Sequence, residues 1–272
     1  MKPKNTQRDY FTFRSSTFHD KIFSENIEAT KFYIRHRENY PETELQDYAR
    51  RGFWTLGIET VPYEWVDDID SFEDLSPSVG VAGYIGDIHR ALNKLKVTIP
   101  QNIDYPDQLK HLLKRSVVRG TIGDVRKISY PVFIKPEIDH KLFTGFVWDA
   151  GEVSRRKIVT CPDEVFVWIS EPINILTEYR TFILNDEILD CRHYKGDWRF
   201  MPDHKVIEDA VSLMKTNRPR AYCLDFGVTD KGETLLIEMN DGFSIGHYGL
   251  PPVQYARMLS ARWNELASNS RK

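Results

Sequence analysis

The sequence predicts two architectures in one chain: an open α/β lobe over roughly the first hundred residues, and an α+β half after it. Three observations carry this expectation. Residues 79–100 run from an apolar strand through Gly86 into a helix and a short extended piece, the grammar of a parallel sheet with crossover helices. Residues 179–194 and 222–240 each read as two β-runs joined by a tight turn, which makes antiparallel pairs. Residues 253–267 form an amphipathic terminal helix. A chain of 272 residues has room for two or three compact lobes. The expected division is 1–100, 101–170 and 171–272.

The elements follow in order. Residues 1–30 show no clear period. Lys31-Phe-Tyr-Ile-Arg-His reads as a short strand. Residues 42–56 read as a helix, with Leu45, Tyr48, Ala49 and Phe53 near helical spacing and Gly57 ending it. A strand over 58–66 leads into the acidic stretch 67–78, expected as a surface loop. Residues 107–115 suit a helix, and Pro131-Val-Phe-Ile-Lys-Pro is a strand bracketed by prolines. Strands are expected at 143–147 and 164–169, and a helix at 203–215.

Composition narrows the function classes. Apolar residues make up 41% and charged residues 28%, which is globular rather than disordered. The net charge of -3 supplies no bulk field to recruit nucleic acid or an anionic membrane. Residues 1–20 hold no signal-peptide core, and no run is long enough to cross a bilayer, so a soluble cytoplasmic protein is expected. Cys161, Cys191 and Cys223 are odd in number and widely spaced, so neither a disulfide framework nor a zinc knuckle is indicated.

The sharpest chemical signal lies between Asp225 and Asn240. Glu238 and Asn240 are two apart on one strand and share a face. The Asp230-Lys-Gly turn folds Asp225 beside them. Two carboxylates and an amide oxygen form a set suited to magnesium or manganese, and magnesium commonly completes its shell with phosphates. The alternative is a hairpin whose polar face meets solvent. Lys135, ending an apolar strand, is a natural phosphate partner, or else an edge lysine that blocks strand pairing. Lys141 and Thr144-Gly145 follow; a glycine there lets backbone amides approach an anion. Glu171-Pro172-Ile173 forms a linker whose apolar walls and backbone amide suit an adenine edge. Glu178 can hold ribose hydroxyls, and Arg180, two residues on, can grip a phosphate or carboxylate. A Glu–Arg surface pair of little energetic value is the alternative there.

These signals, in this order, resemble the ATP-grasp superfamily. Lys135 matches its phosphate lysine, Glu171-Pro172-Ile173 its adenine linker, and Glu178 its ribose acid. Asp225, Glu238 and Asn240 match its metal ligands, with the spacing of 13 and 2 residues that D-alanine–D-alanine ligases share. Residues 79–100 resemble the pre-ATP-grasp lobe. Lys141-Leu-Phe-Thr-Gly145, Glu178-Tyr-Arg180, Arg192 and the run Glu238 to Gly249 resemble the clade named for two arginines and a lysine. The long glycine-rich phosphate loop of many such ligases is not visible.

The resemblance implies an ATP- and magnesium-dependent carboxylate–amine ligase acting through an acylphosphate. Arg180 and Arg192 would be its reaction residues. Gly242 and Ser244, in the loop after the metal ligands, suit amide donation to an acceptor: an amino acid, a peptide or a protein. An ATP-binding assembly factor for a protein partner, without ligation, is the alternative. A narrow pocket beside Arg180 and Ser244 favours the ligase; a large patch on the first lobe favours the assembly factor.

Overall fold

The computed structural model describes residues 27–36, 44–137, 142–216 and 218–269. The expectations for residues 1–26, for the start of the first helix at 42–43 and for Lys141 fall outside these residues.

Three sheets organise the described chain. The first is parallel, in the order β2-β1-β3, from β1 (Lys31–Arg35), β2 (Glu59–Tyr63) and β3 (Val79–Ala82). Helix α1 (Glu44–Thr55) crosses from β1 to β2, and α2 (Ile85–Lys94) follows β3. Phe53 of α1 stacks on Phe32 of β1 with ring centroids 4.1 Å apart. Gly57 ends the helical segment at φ 71°, a left-handed conformation that glycine adopts without a Cβ penalty.

The second sheet is four-stranded, in the order β4-β7-β5-β6: β4 (Val117–Thr121), β5 (Val132–Pro136), β6 (Phe146–Trp148) and β7 (Phe166–Ser170). A single helical turn, α3 (Ile122–Val125), and α4 (Glu152–Lys157) cover it. The third sheet has the order β11-β10-β8-β9, from β8 (Ile175–Leu184), β9 (Glu187–Gly196), β10 (Ala221–Thr229) and β11 (Thr234–Asp241). Both of its hairpins turn where the sequence places them. Asn185 and Asp186 take positive φ, as a two-residue turn requires, and Gly232 does so in the second. Helix α5 (His204–Leu213), capped by the Asp203 side chain, packs Ile207, Ala210 and Val211 on one face.

The other face of the third sheet divides in two. At one end Phe182, Leu184, Ala221 and Cys223 share a core with helix α6 (Pro252–Ser268) and the parallel sheet. The C-terminal helix therefore completes the core of the N-terminal lobe. At the other end the face turns polar and looks toward the second sheet.

Several expectations change. Residues 67–78 are not simply a surface loop: Val66–Ser71 is a 3-10 helix, and Ile69, Phe72 and Leu75 are buried. The helix expected at 107–115 is a 3-10 helix over Asp107–Leu113, stopped by Lys114 at φ 52°. Strand β4 and helix α4 were not expected; both are short and carry charges, so neither shows a clear period.

Candidate active site

Strand register builds this site. Asp225 stands opposite Arg180 on β8 and opposite Glu238 on β11, while Arg180 stands opposite Arg192 on β9. Directly opposed residues share a face. Glu238, Asp225, Arg180 and Arg192 thus form one lateral row across all four strands. Alternation adds Asn240 beside Glu238 and Glu178 beside Arg180.

Each candidate metal carboxylate is held by a cation. Arg180 Nε and Nη2 both donate to Asp225, each at 2.7 Å, a two-pronged pair that is almost wholly buried. Burial pushes the Asp225 carboxyl up to about 6, against the downward pull of Arg180. Lys135 Nζ donates to Glu238 at 2.6 Å and to Asp104 at 2.7 Å. Burial by itself would raise Glu238, but the Lys135 ammonium and its hydrogen bond hold it below the ordinary carboxylate range. Burial likewise opposes charge on Lys135, yet Glu238, Tyr105 and Asp104 together raise it. The ammonium also lies 4.7 Å from the centre of the Tyr105 ring.

Asn240 Nδ2 lies 3.3 Å from Asp225 and 3.1 Å from Glu238, so three oxygen-bearing side chains meet within hydrogen-bond reach. The amide turns its donors to the two carboxylates and leaves its carbonyl oxygen for another partner. Two acids and one amide oxygen are hard donors that fit magnesium. Among the described residues no group of three or more His, Cys, Asp and Glu gathers as a metal cage. A divalent ion here would draw further ligands from a bound phosphate.

Two cavities flank the row. The larger, about 710 Å³, lies between the second and third sheets and is lined by Lys135, Glu171, Ile173, Glu178 and Glu238 among others. The smaller, about 170 Å³, lies on the side of the parallel sheet and is lined by Arg180, Asn240, Ser244 and Ile85 among others. Residues 171–174 connect β7 to β8 and so join the two sheets at the larger cavity. Glu178 accepts from Tyr194 Oη at 2.8 Å and from Lys195 Nζ. Gly145 passes so close to β5 that a Cβ there would meet the Phe133 ring at 2.7 Å.

The remaining linker, loop and row residues differ in placement. Pro172 is exposed and lines neither cavity. Arg192 pairs with Asp190, and its buried Nε has no hydrogen-bond partner among the described residues. The Gly242 amide donates to Ala221 O at 3.1 Å, so it secures the loop to β10. Ser244 Oγ donates to Gly83 O at 3.0 Å, tying the same loop to the end of β3. His247 stacks on Tyr48 of α1 at 3.7 Å and serves packing between lobes.

Several residues of the site escaped sequence reading. Asp104 sits in a connecting segment with no period to mark it, at φ 48° and buried. Arg115 lines the larger cavity with its guanidinium bonded to the carbonyls of Leu113, Leu236 and Ile237 at 3.0 Å. In sequence it looks like an ordinary basic residue at the end of the helix expected over 107–115. The aromatic pair Tyr194–Tyr248, stacked at 4.7 Å beside the Arg180 guanidinium, was also unmarked.

A sheet that carries this charged row, facing a smaller antiparallel sheet across a cleft, defines the class. Residues 112–258 match the family model of the ATP-grasp domain, R2K clade family 2, and the chain belongs to that family. Solved structures of similar fold include N5-carboxyaminoimidazole synthetase from Staphylococcus aureus, at 11% identity and TM-score 0.58, covering 88% of this chain and 78% of that one. D-alanine–D-alanine ligase from Bacillus anthracis, complexed with ATP, is similar at 14% identity and TM-score 0.55, over 88% and 96% of the two chains. A RimK domain ATP-grasp protein from Sphaerobacter thermophilus matches at 12% identity and TM-score 0.51, over 85% and 98%. A search of curated proteins finds no match.

Proposed function

We propose that this chain is an ATP- and magnesium-dependent carboxylate–amine ligase that works through an acylphosphate. One observation carries the reading: the row of carboxylates and guanidinium groups lies between a cleft of nucleotide size and a narrow pocket lined by both Arg180 and Ser244. A nucleotide on one side and an acceptor on the other can meet at the row.

The roles follow from position. The 171–174 linker borders the adenine, with the Ile173 side chain as an apolar wall, and Glu178 receives the ribose hydroxyls. Lys135 and Arg115 hold phosphate oxygens; Lys141, in the segment before Gly145, is assigned to the same task. Asp225, Glu238 and Asn240 would hold magnesium, which when bound would neutralise phosphate charge. An acceptor carboxylate oxygen attacks the γ-phosphorus, the bond to the bridging oxygen breaks, and ADP leaves. An amine then attacks the acyl carbon, and inorganic phosphate departs as the amine loses a proton. Arg180 stabilises the transferring group, and Arg192 orients the carboxylate from the next strand. The chain divides at about 100 and 170 into a pre-ATP-grasp lobe, a small grasp lobe and a large grasp lobe, with α6 shared by the first and last.

No described helix is long and apolar enough to cross a membrane. The three cysteines are free thiols. Both fit the cytoplasm, where ATP is plentiful. The deciding measurement is ATP turnover against pools of amino acids and peptides, read by mass spectrometry. Acceptor-dependent ADP and phosphate are expected. AMP release, or turnover that no carboxylate or amine stimulates, would sink the ligase reading.

A further inference from the structure

The Lys135 ammonium is almost wholly enclosed and has two anionic partners, Glu238 and Asp104. If Glu238 turns to magnesium, as the proposed function requires, Lys135 keeps only Asp104. An enclosed ammonium without a counter-charge is costly, so this remaining partner holds the lysine in place.

Asp104 is built for constancy. Its second carboxylate oxygen accepts from Trp168 Nε1 at 3.0 Å, and Trp168 is the register partner of Lys135 on the neighbouring strand. Its carbonyl oxygen accepts from Met239 N at 2.8 Å, between Glu238 and Asn240. Its backbone holds φ 48°, which aspartate and asparagine tolerate better than most residues. One residue therefore bonds the lysine strand through its side chain and the metal strand through its backbone.

We propose that Asp104 is a positioning residue: it anchors the Lys135 ammonium independently of Glu238, so that the remaining N–H donors meet phosphate when the metal takes Glu238. An ammonium has three donors. In the described state Asp104 and Glu238 receive two; with nucleotide bound, Asp104 keeps one and phosphate oxygens take the others. The inference rests on the nucleotide reading of the larger cavity.

The test compares wild type with Asp104→Asn, Lys135→Met and the double variant, by calorimetric titration with Mg-ADP and by thermal unfolding. Asparagine retains an acceptor for Trp168 and the left-handed backbone but removes the charge. We expect Asp104→Asn to weaken Mg-ADP binding about ten- to a hundredfold, the range for supporting partners of a liganding group, with its melting temperature near that of wild type. The double variant should bind no more weakly than Lys135→Met alone. Asp104→Glu should restore part of the affinity. Unchanged affinity in Asp104→Asn would overturn the assignment. So would losses that add in the double variant, because Asp104 would then act through the connecting segment rather than the lysine. If wild type itself fails to bind Mg-ADP, the nucleotide reading falls and takes this role with it; wild-type binding with an unaffected Asp104→Asn removes this role alone.

Discussion

Residue by residue, the row of charged groups answers differently to each substitution. Glu238→Gln removes one charge of the proposed metal set while Lys135 still has Asp104. Magnesium-dependent nucleotide binding should disappear with the circular dichroism spectrum unchanged; retained Mg-ADP affinity in a titration would refute the metal assignment. Arg180→Ala is harsher. It strands the enclosed Asp225 carboxylate, and breaking a buried pair costs about 3–5 kcal/mol. Urea unfolding should show that loss, and turnover should fall further than ADP affinity. Equal losses of turnover and ADP affinity would make Arg180 a nucleotide contact. The row itself was largely legible, because alternation and a marked turn place Asp225, Glu238 and Asn240 together without tertiary knowledge. Asp104 and Arg115 were not, because they reach the site through connecting segments and chain reversals that leave no period in the sequence.

Among the elements, long strands and marked turns were read well, and short pieces poorly. The β8–β9 and β10–β11 hairpins carry ten- and eight-to-nine-residue strands around turns with Asn, Asp or Gly at positive φ. Strand β4 has five residues, including an arginine and a glycine, and holds its place by pairing with β7. No local pattern announces such pairing. The contact between α1 and α6 is equally silent in sequence. Gly52 lies against the Pro252 carbonyl and the Ala256 methyl, with no room for a Cβ. Gly52→Ala should force the helices apart and destabilise the protein by about 1–3 kcal/mol, the range for overpacking. Chemical denaturation measures that cost, and ADP affinity of the folded variant should match wild type, since the site lies on other elements. A gain in stability would mean that the helices part easily.

At the scale of the whole molecule, the cleft depends on two sheets joined by the 171–174 linker and by Asp104. Nucleotide that binds the folded state alone raises stability by mass action, about 2.7 kcal/mol at a hundred times its dissociation constant. Mg-ADP should therefore raise the melting temperature, and EDTA should cancel most of the shift. An equal shift in EDTA would place the nucleotide away from Asp225 and Glu238.

Helix α6 reaches back across the chain to bury Tyr255, Met258 and Trp263 in the core begun by β1 and α1. Trp263 Nε1 donates to Ser76 O at 2.9 Å, and the Trp263 ring sits over Gly80 of β3. On the ribosome, the parallel sheet emerges long before the helix that seals it. The first lobe must wait, with its apolar face unfilled, until residues 252–268 have been made. A message cut short before that point should yield chains whose opening lobe cannot close, and limited proteolysis of such truncations should cleave that lobe far faster than in the full chain.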